Sequence, residues 1–224
     1  MVSRTLLVEG SSTSSLDGGL PQTPVTPYHV IYMSDPAAIN PPIAHTNFAT
    51  GGETLADISK RAPDVITAFA APPTVNVLTL QLGQNDFIGG GPYANNVVGW
   101  IADVETLIGR YRAAVNKLVK IGLTTQNPRN DPTFLGTRPA VNAAIRTLVK
   151  NGVADFLIDW AIDPTYSHDA DVTNPAKYPD GTHPSQANQN NMEALYYRVA
   201  LDELSASWKE QRTLPKSSPK SRWP

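Results

Sequence analysis

Four short clusters of glycine and polar side chains hold the residues of this chain that could do chemistry. They are Gly10-Ser11-Ser12 with the hydroxyls of Thr13, Ser14 and Ser15 behind it, Gly51-Gly52, Gly83-Gln84-Asn85-Asp86, and Asp180-Gly181-Thr182-His183. Acyl transfer through a protein needs a hydroxyl to attack, an imidazole to take its proton, a carboxylate to orient the imidazole, and N–H donors for the oxyanion. The four clusters offer each of these. Taken singly they compel nothing, because a serine-rich stretch is commonly a flexible loop and Gly-Gln-Asn-Asp is ordinary turn composition.

Three of the clusters follow strands and the fourth, Asp180 to His183, precedes the last helix, which gives them weight. Val75 to Leu82 is almost wholly apolar or β-branched, the pattern of a strand buried on both faces in a parallel sheet, and it breaks at Gly83. Arg4 to Val8 is a short strand running into the first cluster, and Ile43 to Phe48 is another that leads to Gly51. Strands are also expected over Ile121–Thr125 and Val153–Ile158. Tyr28 to Met33 is ambiguous, with Thr26-Pro27 reading as a helix start and the segment itself as β-branched and aromatic.

Between the strands lie helical patterns. Leu55, Ile58, Ala62, Val65, Ile66 and Phe69 recur at three- and four-residue steps, with Pro63 expected to break or kink the run. Ile101, Val104, Ile108, Tyr111, Val115 and Leu118 form one apolar stripe. A helix with Pro139 in its first turn carries Val141, Ala144, Ile145 and Leu148, and a last one carries Met192, Leu195, Tyr196, Val199, Leu201, Leu204 and Trp208. Alternating strands and helices predict an α/β fold with a parallel five-stranded sheet and helices on both faces, whose strand carboxyl ends share one edge where sites are built. One domain over 1–210 is expected, followed by a disordered Pro/Ser/Lys-rich tail over 211–224.

Composition narrows the functional classes. The 224 residues, 41% of them hydrophobic, suffice for one full core. A net charge of −2 leaves no basic footprint for nucleic acid. No apolar run approaches the ~20 residues of a membrane span, and Met1 to Val8 enters a strand without a signal-like apolar region, so the cytoplasm is the expected compartment; release by lysis or within a larger particle fits equally. With no cysteine, thiolate metal sites, disulfides and a cysteine nucleophile are excluded. No His pair is spaced like a metal site, so neither a metal nor a cofactor is expected. His29, His45 and His168 are expected at the surface or the core edge.

In this order and at these distances the four clusters resemble the blocks of the SGNH (GDSL-type) hydrolase family. Gly10-Ser11-Ser12 matches the first block, Asn47-Phe48-Ala49-Thr50-Gly51-Gly52 the second, Gly83-Gln84-Asn85-Asp86 the third and Asp180-Gly181-Thr182-His183 the last. The resemblance implies a three-layer α/β/α, flavodoxin-like sandwich with strand order 2-1-3-4-5. It also implies that Ser12 is the nucleophile, His183 the base and Asp180 its orienting carboxylate. The oxyanion would be met by the Ser12 and Gly52 backbone N–H groups and the Asn85 side chain. The family usually has Asp before its serine and this chain has Ser11, a change expected to alter turn rigidity or local charge without abolishing the chemistry. Placement relative to Gly10 selects Ser12 among the hydroxyls.

The resemblance further implies a serine esterase acting on a small-molecule or glycan ester. Polar, Pro/Gly-rich loops with Tyr93, Tyr166 and Tyr178 as sugar-stacking candidates favour removal of acetyl groups from a carbohydrate; thioesters and lipid-like esters fit the same site. Two other classes fit as well: a catalytically weakened glycan-binding module, and an acyltransferase passing the acyl group to an acceptor. Oligomeric state is not legible in the sequence.

Overall fold

The computed structural model describes residues 3–14, 25–38 and 42–213, with the backbone alone for 208–213. Ser15 and the segment beyond Thr213, where most of the expected tail lies, are outside the described residues. Five parallel strands form one sheet of order β2-β1-β3-β4-β5: β1 (Arg4–Gly10), β2 (Ala44–Asn47), β3 (Val75–Gln81), β4 (Leu118–Thr124) and β5 (Phe156–Ile158). The helices are α1 (Tyr28–Ser34), α2 (Leu55–Ala68), α3 (Val97–Arg112), α4 (Pro132–Lys150) and α5 (Gln186–Asn191), the last passing through a π-turn, Met192–Tyr197, into α6 (Arg198–Thr213).

Alternation along the central strands sorts side chains into two cores. Leu7, Leu78, Leu80, Ile121 and Leu123 face α2, α3 and α4, packing with Leu55, Ile58, Val104, Ile108, Val141 and Ile145. Leu6, Val8, Val77 and Ile158 face the other way, toward α1 and the π-turn, against Tyr28, Tyr32, Trp160, Met192 and Tyr197. Side chains at i and i+2 share a face, so strands this apolar need a helix layer on each side. That is the α/β/α sandwich.

Several local elements differ from what the sequence pattern predicts. Tyr28–Met33 is helical because Tyr28, His29 and Tyr32 share one buried face, where Tyr28 meets Trp160 and Tyr197 edge-on at 4.8 Å each. The stripe assigned to one helix overruns α3: Val115 is 79% exposed, and Leu118 begins β4. Helical spacing had persisted across a turn by coincidence. α4 starts at Pro132, capped by Asp131 Oδ1 accepting from the Phe134 N–H at 2.8 Å, so Pro139 lies inside the helix and not in its first turn. α2 likewise runs through Pro63. A proline removes the N–H that would bond the carbonyl four residues back; here that carbonyl, of Ser59, accepts Arg110 Nη1 at 2.7 Å. In the last helix Leu195 and Val199 are 55% and 44% exposed, because the π-turn rotates the buried face onto Met192, Tyr197 and Leu201.

A charged cluster ties β1 to the segment after β2. Arg61, on α2, donates to Glu9 Oε1 (3.2 Å) and to both carboxylate oxygens of Glu53, while the Tyr111 hydroxyl donates to Glu9 Oε2. Glu9 is fully buried, and burial raises its pKa from the ordinary 4.5 to about 7; Tyr111 and Arg61 oppose the rise and Glu53 adds to it. An acid that holds its proton more tightly when folded stabilises the fold at low pH, and that contribution is lost as pH climbs between the two values. Between pH 4.5 and about 7 the unfolding free energy of the wild type should therefore fall relative to Glu9→Gln, as read from denaturant titrations at several pH values. Parallel curves for the two proteins would contradict the shifted Glu9.

Candidate active site

All five strands end on one edge, and the four polar clusters meet there. β1 delivers the first. Opposite Gly10 in the sheet lies Gln81, and a Cβ at Gly10 would sit 2.8 Å from the Gln81 carbonyl oxygen and 2.9 Å from its Cβ. Only glycine permits this approach, which sets the turn that follows. In that turn Ser14 N donates to Ser11 O at 3.0 Å.

The turn sends its hydroxyls in different directions. Ser11 is 2% exposed, with Oγ directed at Gln81 Oε1 (3.1 Å) and Gln84 Oε1 (3.2 Å), and Thr13 Oγ1 also donates to Gln84 Oε1 (3.0 Å). Ser14 is buried, its Oγ 2.7 Å from the Tyr28 hydroxyl. Half-buried Ser12 alone of these three serines has its hydroxyl against an imidazole, with Oγ 2.7 Å from His183 Nε2. Ser11, where the family pattern has an acid, thus belongs to an uncharged network joining the first block to the third.

His183 is oriented from behind. Its Nδ1 lies 2.6 Å from Asp180 Oδ2, while Asp180 Oδ1 accepts the backbone N–H groups of His183 (2.7 Å) and Thr182 (2.9 Å). Burial acts to raise the Asp180 pKa, but the His183 backbone and side chain and the Thr182 N–H outweigh it and hold the carboxyl below its ordinary value. An ionised carboxylate can only accept, so Nδ1 carries the proton and Nε2 is free to accept from Ser12.

The second and third blocks flank this pair. A Cβ on Gly51 would lie 3.7 Å from the Ser12 Cβ, which places the Gly51-Gly52 turn beside Ser12, and Gly52 has φ +81°, a conformation that favours glycine. Asn85 is 7% exposed; its Nδ2 donates to the Glu53 carbonyl at 2.9 Å and its Oδ1 accepts Arg129 Nη1 at 2.7 Å. Asp86 is buried and accepts the Leu55 N–H at the start of α2 at 2.9 Å, so the third block also anchors the helix that follows the second.

Of the histidines and tyrosines outside the clusters, His29, Tyr166 and Tyr178 differ from expectation. His29 is fully buried rather than at the surface or core edge: Nε2 lies 2.8 Å from the Ser14 carbonyl and Nδ1 3.1 Å from His45 Nε2. Burial, opposed by the bond to Ser14 and aided by His45, lowers its pKa to about 3, so it is neutral and braces the turn behind Ser12. His45 is half-buried and His168 exposed. Tyr166 and Tyr178 are 0% and 1% exposed and belong to a core, which removes them as sugar platforms. Tyr93 remains, on a groove of about 430 Å³ between α2 and α3 that Ser59, Lys60, Asp103 and Arg110 also line. Among the described residues no group of three or more His, Asp or Glu could hold a metal ion, and no helix is long and apolar enough to cross a membrane.

Sequence reasoning missed Gln81, Arg129 and Asn130. Their only signal was position: Gln81 closes β3, and Arg129 and Asn130 follow β4 on the same edge, where Asn130 N donates to Gly181 O at 2.7 Å.

The model of the GDSL-like Lipase/Acylhydrolase family matches residues 32–195, a stretch that holds the second, third and last blocks but begins after Ser12. Among solved structures, a member of the lipolytic G-D-S-L family from Veillonella parvula superposes with a TM-score of 0.63 at 14% identity, covering 88% of this chain and 96% of that one. An acetylxylan esterase from Geobacillus stearothermophilus does so at 0.59 and 16%, covering 91% and 94%. A psychrotrophic esterase from a Pseudoalteromonas species gives 0.59 and 18%, covering 93% and 98%. No curated protein matches significantly.

The close approach at Gly10 gives a test of the turn. Gly10→Ala should cost about 1–3 kcal/mol, as overpacking typically does, and lower the melting temperature measured by circular dichroism; an unchanged melt would show that β1 can shift away from Gln81.

Proposed function

The chain belongs to the GDSL-like lipase/acylhydrolase family, and on that premise we propose that it is a serine esterase working through Ser12, His183 and Asp180. The observation that carries this reading is the unbroken chain from Ser12 Oγ to His183 Nε2 (2.7 Å) and from His183 Nδ1 to Asp180 (2.6 Å). Ser12 Oγ attacks the ester carbonyl carbon as its proton passes to His183 Nε2. The Ser12 and Gly52 backbone N–H groups and Asn85 Nδ2 receive the charge that develops on the carbonyl oxygen. Collapse expels the alcohol, which takes the proton from His183. Water then attacks the acyl-enzyme, giving a proton to His183; release of the acid returns that proton to Ser12. Asp180, held ionised, keeps the imidazole in the tautomer this cycle needs.

The substrate we assign is a short-chain, acetyl ester of a carbohydrate. Support comes from the fold shared with an acetylxylan esterase and from Tyr93, an aromatic side chain on a groove that Leu55 and Ala56 line together with Ser59, Lys60, Asp103 and Arg110. Acetate release from acetylated xylo-oligosaccharides should exceed hydrolysis of long-chain p-nitrophenyl esters; the reverse preference would overturn the assignment.

Three further measurements check the mechanism. Hydrolysis of p-nitrophenyl acetate should vanish in Ser12→Ala and survive in Ser11→Ala, and an organophosphonate should label Ser12 alone by mass spectrometry. Asn85→Ala should keep the fold and lose ~10²–10³ in turnover, the usual cost of one oxyanion donor.

A further inference from the structure

We propose that Arg129 is a positioning residue for the oxyanion donor Asn85, holding its carboxamide in the one orientation that turns an N–H toward the reacting carbonyl. The inference rests on the role of Asn85 proposed above.

A carboxamide is nearly symmetric in shape but not in chemistry: one end donates two hydrogens and the other only accepts. Flipped, Asn85 would turn its oxygen toward the developing negative charge and destabilise what it should stabilise. Two partners prevent the flip. The Glu53 carbonyl, 2.9 Å from Nδ2, can only accept, and Arg129 Nη1, 2.7 Å from Oδ1, can only donate. Each would meet a like group in the flipped state, and both call for the same orientation. One Nδ2 hydrogen is then spent on Glu53 and the second is left for the substrate oxygen.

Arg129 contributes more than a donor. A cationic hydrogen bond to Oδ1 draws electron density from the amide and strengthens the opposite N–H as a donor. The guanidinium is half-buried and its Nη1 also lies 3.5 Å from the Gln84 carbonyl, so two carbonyl-type oxygens of the third block face it. Asp131 and Asp180 act on it through space, with no ion pair to either among the described residues. The neighbouring Asn130 N–H bonds the Gly181 carbonyl at 2.7 Å, and a Cβ on Gly181 would come within 3.1 Å of the Asn130 Cβ. The loop after β4 therefore touches both the oxyanion donor and the loop that aims His183.

The test is a double-mutant cycle on p-nitrophenyl acetate with Arg129→Met and Asn85→Ala, folding being checked by circular dichroism. Arg129→Met should lower kcat about tenfold or more, a share of the ~10²–10³ carried by a whole oxyanion donor, with KM nearly unchanged. In the Asn85→Ala background it should cost less than about twofold, because residues that act as one unit are not additive. Arg129→Lys, which keeps a charge and a donor, should recover part of the loss. An unchanged kcat in Arg129→Met, or the same tenfold loss with and without Asn85, would overturn the inference while leaving the role of Asn85 intact. Wild-type turnover in Asn85→Ala would instead remove Asn85 from the site, and the role of Arg129 with it. If Arg129→Met does not fold, Arg129→Gln runs the same cycle against Arg129→Lys.

Discussion

The parallel pairing of β1 with β3 is the contact on which the rest of the molecule leans. It runs the full length of both strands, from Arg4 beside Val75 to Gly10 beside Gln81. Because the strands point the same way, their exits lie side by side, and the first and third blocks begin as neighbours. The closeness at Gly10 leaves no room for a side chain. The chain leaves that close contact through the Ser11–Ser14 turn, which carries half-buried Ser12.

The polar residues beneath the site are buried and arranged to satisfy one another. Ser11, Thr13, Gln81 and Gln84 share hydrogen bonds at 3.0–3.3 Å, all without formal charge. Asn47 and His29 both meet the Ser14 carbonyl. A buried donor or acceptor left without a partner costs about 1–3 kcal/mol, so such a network resists rearrangement and holds the turn in one geometry. Charge enters further out, where Arg61 ties Glu9 to Glu53, and across the site at Arg129 and Asp180. The Glu53 carbonyl that orients Asn85 thus belongs to a residue whose own carboxylate is fixed by Arg61.

The helices serve the same end. α2 begins directly after the second block, and the Asp86 carboxylate on its first N–H locks that block to the third. Ser185 caps α5 immediately after His183, and Gln189 on α5 bonds the Tyr28 N–H at 3.1 Å, tying the last block to α1. Two cores of different character support the layers. The face against α2, α3 and α4 is largely aliphatic, whereas the face against α1 and the π-turn is built on interlocking tyrosines and Trp160.

Residue patterning alone was enough for the α/β class with a parallel five-stranded sheet; the strand order came only with the resemblance of the four blocks to a family. Runs such as Val75–Leu82 are too apolar to face water on either side, and polar clusters that each read singly as a turn gain weight from recurring at strand ends. Patterning determined less where the signal was only local. Helical spacing carried the α3 stripe past its end to Leu118, and Pro139 looked like a helix start because the real start at Pro132, capped by Asp131, sits in a stretch that reads as a polar loop. Tyr166 and Tyr178 read as surface aromatics, since a tyrosine suits a core and a groove equally. The tertiary structure adds why Ser12, already singled out by its place relative to Gly10, is the hydroxyl that meets His183: the Ser11 and Ser14 hydroxyls turn into buried networks. It alone brought Arg129 to Asn85, across 44 residues of chain. Side-chain direction and contact between distant loops depend on how the layers pack, and no spacing along the polypeptide encodes them.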